Sequence, residues 1–247
     1  MLGLPAAVRV CLFDLDGVLT QTAKVHAAAW KETFDAYLRR RAAGTGERFV
    51  PFDAVGDYDE YVDGRPRSDG VRSFLASRGI ELPQGGADDG PDAQTIGGLG
   101  SRKNAIVLKM IREHGVQPYE GSVRYVRAAR DAGLRRVVVS SSTNTRDVLA
   151  AAHIADLFEE VIDGHVAERE HLAGKPAPDT YLMGARLVGA TPSQAAVFED
   201  ALAGVQAGRA GAFAIVVGVD RVGQADALRA HGADLVVRDL AELLDAS

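Results

Sequence analysis

The hydrophobic pattern of the chain alternates between short apolar runs and longer amphipathic stretches. The apolar runs predict buried strands at residues 8–13, 136–140, 161–162, 196–198, 214–217 and 235–236. The amphipathic stretches predict helices at residues 123–132, 144–152, 179–187, 204–210, 225–231 and 240–244. Strands and helices that alternate in this order are typical of an α/β fold, in which helices cover both faces of a parallel sheet.

Residues 21–100 interrupt this alternation. They begin with an amphipathic helix predicted over residues 25–38, whose apolar face consists of Trp30, Phe34, Tyr37 and Leu38. The rest of the region is rich in Gly, Asp and Pro and contains no convincing strand. We therefore predict that residues 21–100 form a helical insertion. Residues 1–20 and 101–247 are assigned to the α/β core, and the second of these segments begins with a helix predicted over residues 101–113.

Composition and charge narrow the class of protein. Of the 247 residues, 47% are hydrophobic and 25% are charged, which is ordinary for a globular protein. The net charge of −6 and the pI of about 5.5 argue against nucleic acid or a membrane surface as a partner. No signal peptide or bilayer-spanning run is recognisable, so we expect a cytoplasmic location. We also expect a monomer. The single cysteine, Cys11, lies in an apolar strand and is predicted to be a core residue.

The first predicted strand ends in two carboxylates. Asp14 and Asp16 follow the apolar run, and Gly17 then allows a sharp turn. Residues two apart in an extended segment point to the same side, so both acids can address one ligand at the carboxyl edge of the sheet. The alternative is an ordinary strand followed by a solvated acidic turn.

A second polar segment follows the strand at residues 136–140. Ser140, Ser141, Ser142 and Asn144 lead from this strand into the next predicted helix. Hydroxyls beside the free N–H groups of a helix N-terminus form a natural phosphate site. Serine and asparagine at these positions are also common as simple helix caps, and the sequence leaves both interpretations open.

Two further segments carry charge. Lys175 lies in a polar loop predicted over residues 164–178, where adjacent prolines fix the backbone; the alternative is a surface lysine. Glu199 and Asp200 end another strand; the alternative is a favourable contact with a helix N-terminus. With Asp14 and Asp16, these acids would crowd one end of the sheet. Two such charges about 4 Å apart repel by roughly 4 kcal/mol at an effective dielectric near 20, a penalty that Mg²⁺ would remove.

The order of these segments resembles the haloacid dehalogenase superfamily of phosphotransferases. Its four motifs match Asp14-x-Asp16, Ser140, Lys175 and Glu199-Asp200. The chain is most similar to the β-phosphoglucomutase-like branch, on the further evidence of Thr22, His26, Trp30-Lys31, Gly64-x-x-Arg67, Ser101-Arg102-Lys103-Asn104, Ser140-x-Ser142-x-Asn144 and Gly174-Lys175-Pro176-Ala177-Pro178-Asp179. The resemblance implies a Rossmann-like parallel sheet core with an inserted small helical cap.

The resemblance also implies a mechanism. Asp14 would attack phosphorus and form an aspartyl-phosphate, while Asp16 would exchange protons with the leaving and accepting oxygens. Ser140 and Lys175 would hold the phosphoryl oxygens. Mg²⁺ would be bound by the four acids Asp14, Asp16, Glu199 and Asp200. The second acid favours phosphoryl transfer over halide displacement, because dehalogenases lack it.

The residues of the insertion bear on the substrate. Arg67, helped by Arg102 and Lys103, would bind a second phosphate, and His26 would couple the insertion to Asp16. A helix-surface histidine and a solvated arginine are the alternatives. The full set expected to bind substrate is Thr22, His26, Trp30, Arg67, Lys103, Ser141, Ser142 and Asn144.

The expected partners are a sugar phosphate and its bisphosphate. We predict a β-phosphoglucomutase that converts β-glucose 1-phosphate to glucose 6-phosphate. The alternative is a sugar-phosphate phosphatase, which would use the same core but transfer the phosphoryl group to water. A non-catalytic module that binds a phosphometabolite is a third possibility, disfavoured because the chain keeps Asp14, Asp16 and Lys175.

Overall fold

The computed structural model describes residues 2–86 and 88–245. The chain divides into two compact units. One unit combines the residues up to Thr22 with those from Val116 onward, and the other runs from Ala23 to Gly115. No helix among the described residues is long and apolar enough to cross a membrane.

The first unit is built on a parallel sheet. Within the described residues this sheet has six strands, namely β1 (Val10–Phe13), β2 (Arg135–Val139), β3 (Glu160–Ile162), β4 (Ala195–Glu199), β5 (Ile215–Val219) and β6 (Leu235–Val237). Their spatial order is β3-β2-β1-β4-β5-β6, and every neighbouring pair is parallel. The predicted Rossmann-like α/β fold is therefore confirmed.

Helices of the described chain occupy both units. The second unit contains α1 (Ala23–Thr45), α2 (Arg67–Ser77) and α3 (Ile96–His114), with a single π-helical turn at Tyr58–Val62. The first unit contains α4 (Glu120–Asp131), α5 (Thr145–Ala151), α6 (Gly164–Arg169), α7 (Asp179–Leu187), α8 (Leu202–Ala210), α9 (Ala225–His231) and α10 (Glu242–Asp245), with 3₁₀ turns at Ala155–Leu157 and Pro192–Gln194.

Strand β1 lies at the centre of the sheet, between β2 and β4. All four of its residues are buried, as expected for a parallel strand covered on both faces. On one face, Phe13 stacks on Phe198 of β4 with ring centroids 4.6 Å apart, and Tyr125 of α4 packs against both rings. This packing fixes the ends of β1 and β4, where the candidate site residues begin.

The second unit packs its helices around an aromatic cluster. Phe34 of α1 lies 4.2 Å from Phe74 of α2 and 5.0 Å from Trp30, measured between ring centroids. Phe52, from the segment between α1 and α2, closes the cluster against Phe74 at 4.9 Å. The apolar face predicted for the first helix therefore forms the core of this unit.

Helix α3 begins five residues before the predicted start at residue 101. The hydroxyl of Thr95 caps it by accepting the N–H of Gly98 at 2.9 Å. A Cβ on Gly98 would lie 2.2 Å from the carbonyl oxygen of Ala93, so this turn requires glycine. The start of the helix was not predicted because its first residues include Gly97, Gly98 and Gly100, and glycine is unfavourable in helices. Because α3 is continuous and packs on α1, residues 101–115 belong to the second unit, which differs from the predicted boundary at residue 100.

A second difference is α6, within the segment predicted as a polar loop over residues 164–178. The carboxylate of Asp163 accepts the N–H of Val166 at 2.9 Å and so caps the helix. Val166 is the only buried residue in this six-residue helix. The helix therefore lacks the apolar period that a sequence pattern detects.

Candidate active site

The candidate residues of the first unit lie at the carboxyl edge of the sheet. Asp14 follows β1, Ser140 follows β2, and Glu199 and Asp200 lie at the end of β4. These three strands are adjacent and parallel, so their carboxyl ends meet at one edge. The hydrogen bond from the Asp14 N–H to the carbonyl of Phe198, at 3.0 Å, fixes the first of these residues against β4.

Lys175 is buried among these acids. Its amine donates to Asp14 Oδ1 at 2.5 Å, to Glu199 Oε1 at 2.7 Å and to the carbonyl of Val139 at 3.3 Å. The residue is only 2% exposed, which excludes the alternative of a surface lysine. The ring of Tyr181 on α7 lies beneath the amine, with its centroid 4.9 Å away. The ammonium group is thereby held in a single position.

Burial and charge act together on these groups. Burial lowers the pKa of the Lys175 amine, but the carboxylates of Asp14 and Glu199 raise it by more, and the net pKa lies well above its usual value. Burial raises the pKa of Asp14 well above its usual range, and Lys175 offsets this only in part because Glu199 and Asp16 raise it further. Lys175 is therefore charged at neutral pH, and the neighbouring acids make it harder for Asp14 to lose its proton.

Three of the acids form a group suited to a metal ion. Within the described part of the chain, one carboxylate oxygen from each of Asp14, Glu199 and Asp200 lies within 4.8 Å of the others, and all three residues are buried. When all three carboxyl groups are ionised, the charge of Lys175 balances only one of them. A buried set of carboxylate oxygens of this kind fits a divalent cation such as Mg²⁺, whose positive charge would favour the ionised form of Asp14.

Glycines allow the backbone to approach this group. A Cβ on Gly17 would lie 1.7 Å from Oδ2 of Asp200, and one on Gly204 would lie 1.6 Å from Oε1 of Glu199. The other oxygen of Glu199 accepts the N–H of Ala201 at 2.9 Å. The positions of two of the three acids therefore depend on the absence of neighbouring side chains.

Asp16 lies outside the three-acid group, although the sequence predicted it as a fourth metal ligand. Its carboxylate accepts a hydrogen bond from the Thr22 hydroxyl. The Thr22 hydroxyl also contacts that of Thr20 at 2.7 Å. The reason is local: β1 ends at Phe13 and the chain turns at Gly17, so the two-residue alternation of a strand does not extend to Asp16.

Thr20 was missed by the sequence analysis. It is fully buried and donates a hydrogen bond to the carbonyl of Leu15 at 3.2 Å. Thr20 and Thr22 together link the backbone before Asp16 to the Asp16 carboxylate. The sequence signal for this contact is the presence of two threonines shortly after the paired acids.

The serine segment forms a turn at the end of β2. The Ser140 hydroxyl oxygen accepts the N–H of Ser142 at 3.1 Å, and that of Ser142 accepts the N–H of Asn144 at 3.1 Å. Ser141 lies between them on the same turn. Asn144 immediately precedes α5, but its side chain makes no capping hydrogen bond, so simple capping does not explain it.

Three predicted residues of the second unit come together. The amine of Lys103 lies 2.9 Å from Nδ1 of His26 and 5.1 Å from the centroid of the Trp30 ring. Lys103 is buried, and its contact with His26 excludes a purely surface role for the histidine. Arg67 begins α2, and its methylene groups pack beside Gly100. Arg67 is half-buried rather than fully solvated, and this burial lowers the pKa of its guanidinium.

Comparisons with known proteins agree with this arrangement. A family model described as haloacid dehalogenase-like hydrolase matches residues 8–211. The chain is 59% identical to a β-phosphoglucomutase of Mycobacterium bovis, over 99% of this chain and 94% of that protein. It is 29% identical to a β-phosphoglucomutase of Bacillus subtilis, over 96% of this chain and 92% of that protein.

A solved structure supports the fold. The crystal structure of β-phosphoglucomutase from Clostridium difficile matches with a TM-score of 0.72 at 24% identity, covering 96% of this chain and 93% of that one. The predicted family and the predicted enzymatic character are confirmed, and the protein is an enzyme of the phosphotransferase or phosphatase type. The chain belongs to the haloacid dehalogenase-like hydrolase family.

Proposed function

We propose that the chain is a Mg²⁺-dependent β-phosphoglucomutase, which converts β-glucose 1-phosphate to glucose 6-phosphate. The observation that carries this proposal is the buried group of Asp14, Glu199 and Asp200, with Lys175 hydrogen-bonded to two of its members. The choice of a mutase and of glucose is supported by the 59% identity to the mycobacterial β-phosphoglucomutase.

In this proposal Asp14 is the nucleophile. One of its carboxylate oxygens attacks phosphorus, the bond from phosphorus to the ester oxygen breaks, and an aspartyl-phosphate forms. Asp16 gives a proton to the departing oxygen. In the return step it takes a proton from the hydroxyl that attacks the phosphoenzyme. The hydrogen bond from Thr22 supports this role because it orients the Asp16 carboxylate.

Lys175 and Ser140 bind the phosphoryl group during transfer. The ammonium of Lys175 supplies positive charge where negative charge develops on the phosphoryl oxygens. The Ser140 oxygen already accepts an N–H, so its hydroxyl hydrogen is available to a phosphoryl oxygen. The hydroxyls and amide of Ser141, Ser142 and Asn144 extend this phosphate-binding turn.

Asp14, Glu199 and Asp200 would hold the Mg²⁺ ion. When bound, the ion would supply positive charge beside the phosphoryl oxygens, so that an anionic nucleophile is not repelled. In their ionised forms the three acids outnumber the single positive charge of Lys175, which supports a divalent rather than a monovalent ion. Without a cation, ionised acids would repel an approaching phosphate.

A mutase must also bind a phosphate that does not react. The phosphoenzyme passes its phosphoryl group to a second hydroxyl of the sugar phosphate, and the other phosphate of the resulting bisphosphate then returns to Asp14. We assign the non-reacting phosphate to Arg67, because a guanidinium binds phosphate through two parallel hydrogen bonds. His26, Trp30 and Lys103 are assigned to the sugar phosphate, as residues of one helical cap.

The test is a phosphorus NMR assay of the purified protein. β-Glucose 1-phosphate is supplied with Mg²⁺ and a small amount of glucose bisphosphate as primer. Accumulation of glucose 6-phosphate is the expected result. The matched control is Asp14→Asn, which keeps the size of the side chain but removes its nucleophilic oxygen, and which should form neither glucose 6-phosphate nor a phosphoenzyme.

The same assay separates the alternatives. Free phosphate in place of glucose 6-phosphate would identify a sugar-phosphate phosphatase, the candidate that the description of the family as hydrolases favours. No turnover with Mg²⁺ across a panel of sugar phosphates would overturn the enzymatic proposal and favour a binding module. Turnover that persists in the Asp14→Asn protein would mean that the nucleophile is a different residue.

A further inference from the structure

Arg221 lies in the loop after β5 and binds the turn that carries Asp16. Its Nε donates to the carbonyl of Gly17 at 2.9 Å, and its Nη2 lies 3.4 Å from the carbonyl of Val18. The same nitrogen contacts the Ser122 hydroxyl, which itself donates to the Val18 carbonyl at 2.7 Å. Two successive carbonyls of the Asp16 turn are therefore held by one guanidinium.

The guanidinium is itself fixed on its other sides. Its Nη1 donates to the carbonyl of Arg238 at 2.7 Å and forms an ion pair with Asp239 at 3.1 Å. The ring of Tyr119 covers one face, with 3.6 Å between the ring centroid and the guanidinium carbon. The side chain is only 13% exposed. Because the planar guanidinium is held on all these sides, it is a rigid support for the turn.

The same loop also reaches Asp200. The amide of Gln224 donates to the Asp200 carbonyl at 3.0 Å. Asp220 holds the loop in a tight turn, because its Oδ1 accepts the N–H groups of Gly223 at 2.6 Å and Gln224 at 2.8 Å. Gly17 in turn packs directly against the Asp200 carboxylate. The loop thus contacts both segments whose close approach shapes the site.

We propose that Arg221 is a positioning residue for phosphoryl transfer, which holds the Gly17–Val18 turn so that Asp16 is placed to protonate the leaving oxygen. The inference rests on the proposed function. It concerns Asp16 more than Asp14, because Asp14 has independent support from the amine of Lys175 and the carbonyl of Phe198. Asp16 directly precedes Gly17, whose carbonyl accepts the hydrogen bond from Arg221.

The distinguishing property is the leaving group. A sugar oxygen is a poor leaving group and needs a proton, whereas p-nitrophenolate leaves without one. Loss of the hydrogen bonds from Arg221 to the Gly17–Val18 turn should therefore slow phosphoryl transfer from a sugar phosphate much more than transfer from p-nitrophenyl phosphate. A general loss of structure would slow both reactions equally.

The experiment compares the wild type with Arg221→Gln in single-turnover formation of the phosphoenzyme from glucose bisphosphate and from p-nitrophenyl phosphate. We expect the rate with the sugar to fall roughly 10–100-fold, part of the full effect of a general acid, and the rate with the aryl ester to fall less than about 3-fold. Arg221→Lys keeps the charge without the planar guanidinium and should recover part of the sugar rate. If Arg221→Gln does not fold, Arg221→Lys carries the same comparison.

Arg229→Gln is the matched control. Arg229 lies on α9, is exposed, and pairs with Asp226 on its own helix. Removing this charge should leave both rates unchanged. Equal loss with the two substrates in the Arg221 variants, or no loss with either, would overturn the inference. Absence of phosphoenzyme in the wild type with both donors would instead refute the proposed function.

Discussion

Replacing Gly17 with alanine tests whether the close packing of the turn at Gly17 against Asp200 positions that carboxylate for metal binding. The φ angle of Gly17 is 91°, and an added Cβ would lie 1.7 Å from Oδ2 and 2.4 Å from Cγ of Asp200. Restoring a van der Waals separation requires the carboxylate to move by more than about 1 Å. The displaced oxygen would leave the group that it forms with Asp14 and Glu199.

The expected effect has two parts. The left-handed conformation costs a non-glycine residue about 1–2 kcal/mol, which lowers the melting temperature by roughly 2–4 °C for each kcal/mol. Displacing Asp200 should weaken Mg²⁺ binding by about 10–100-fold, the usual effect of disturbing the residues that orient a metal ligand. Only the second part is specific to the metal site.

Gly189→Ala separates the two parts. Gly189 has a φ of 75°, and a Cβ there would meet nothing within 4 Å. This variant should show a similar loss of melting temperature with unchanged Mg²⁺ affinity. Calorimetric titration with Mg²⁺ and thermal unfolding with and without the ion measure both quantities. Wild-type Mg²⁺ affinity in a folded Gly17→Ala protein would refute the assignment of Asp200 to the metal site.

Three further predictions concern the proton donor, the second phosphate and the cysteine. Asp16→Asn should slow sugar-phosphate turnover by about 10²–10⁴-fold while thermal unfolding stays near wild type; unchanged turnover would exclude the proton-transfer role. Arg67→Ala should cut mutase efficiency by about 10–150-fold and phosphoenzyme hydrolysis far less, with partial recovery in Arg67→Lys; equal losses in the two assays would place the second phosphate elsewhere. Burial raises the pKa of the Cys11 thiol to about 12, so that below this pH the unreactive thiol predominates. Iodoacetamide should therefore label Cys11 at pH 8 only after unfolding, and rapid labelling of the native protein would contradict its burial.

The sequence by itself determined the strands of the sheet, most of the helices and the kinds of residue that follow each strand. Apolar runs such as the one ending at Phe13 are buried because a parallel strand has helices on both faces, and this leaves a signal in any single sequence. Parallel strands also place their carboxyl ends at one edge, so the sequence is enough to predict that the acids after β1 and β4 lie near each other. The match to the family motifs rests on the same local segments.

The tertiary structure alone decided the order of the strands and the partners of each acid. Strand β1 pairs with β2 and β4, from which it is separated by more than a hundred residues, and no local pattern specifies such pairings. Asp14 and Glu199 share the amine of Lys175 because three distant segments converge there. Asp16 points instead to Thr22, because the turn at Gly17 breaks the alternation of the strand.

The contacts of Arg221 are another feature that the sequence alone could not predict. In the sequence Arg221 is one arginine after a strand, more than two hundred residues beyond the turn that it holds. Its role depends on two backbone carbonyls, those of Gly17 and Val18, and carbonyls are present at every position of a chain. Side-chain chemistry and hydrophobic periodicity can be recognised within short segments of a sequence. Which carbonyl a distant guanidinium reaches is decided only when the packed sheet brings the two loops together.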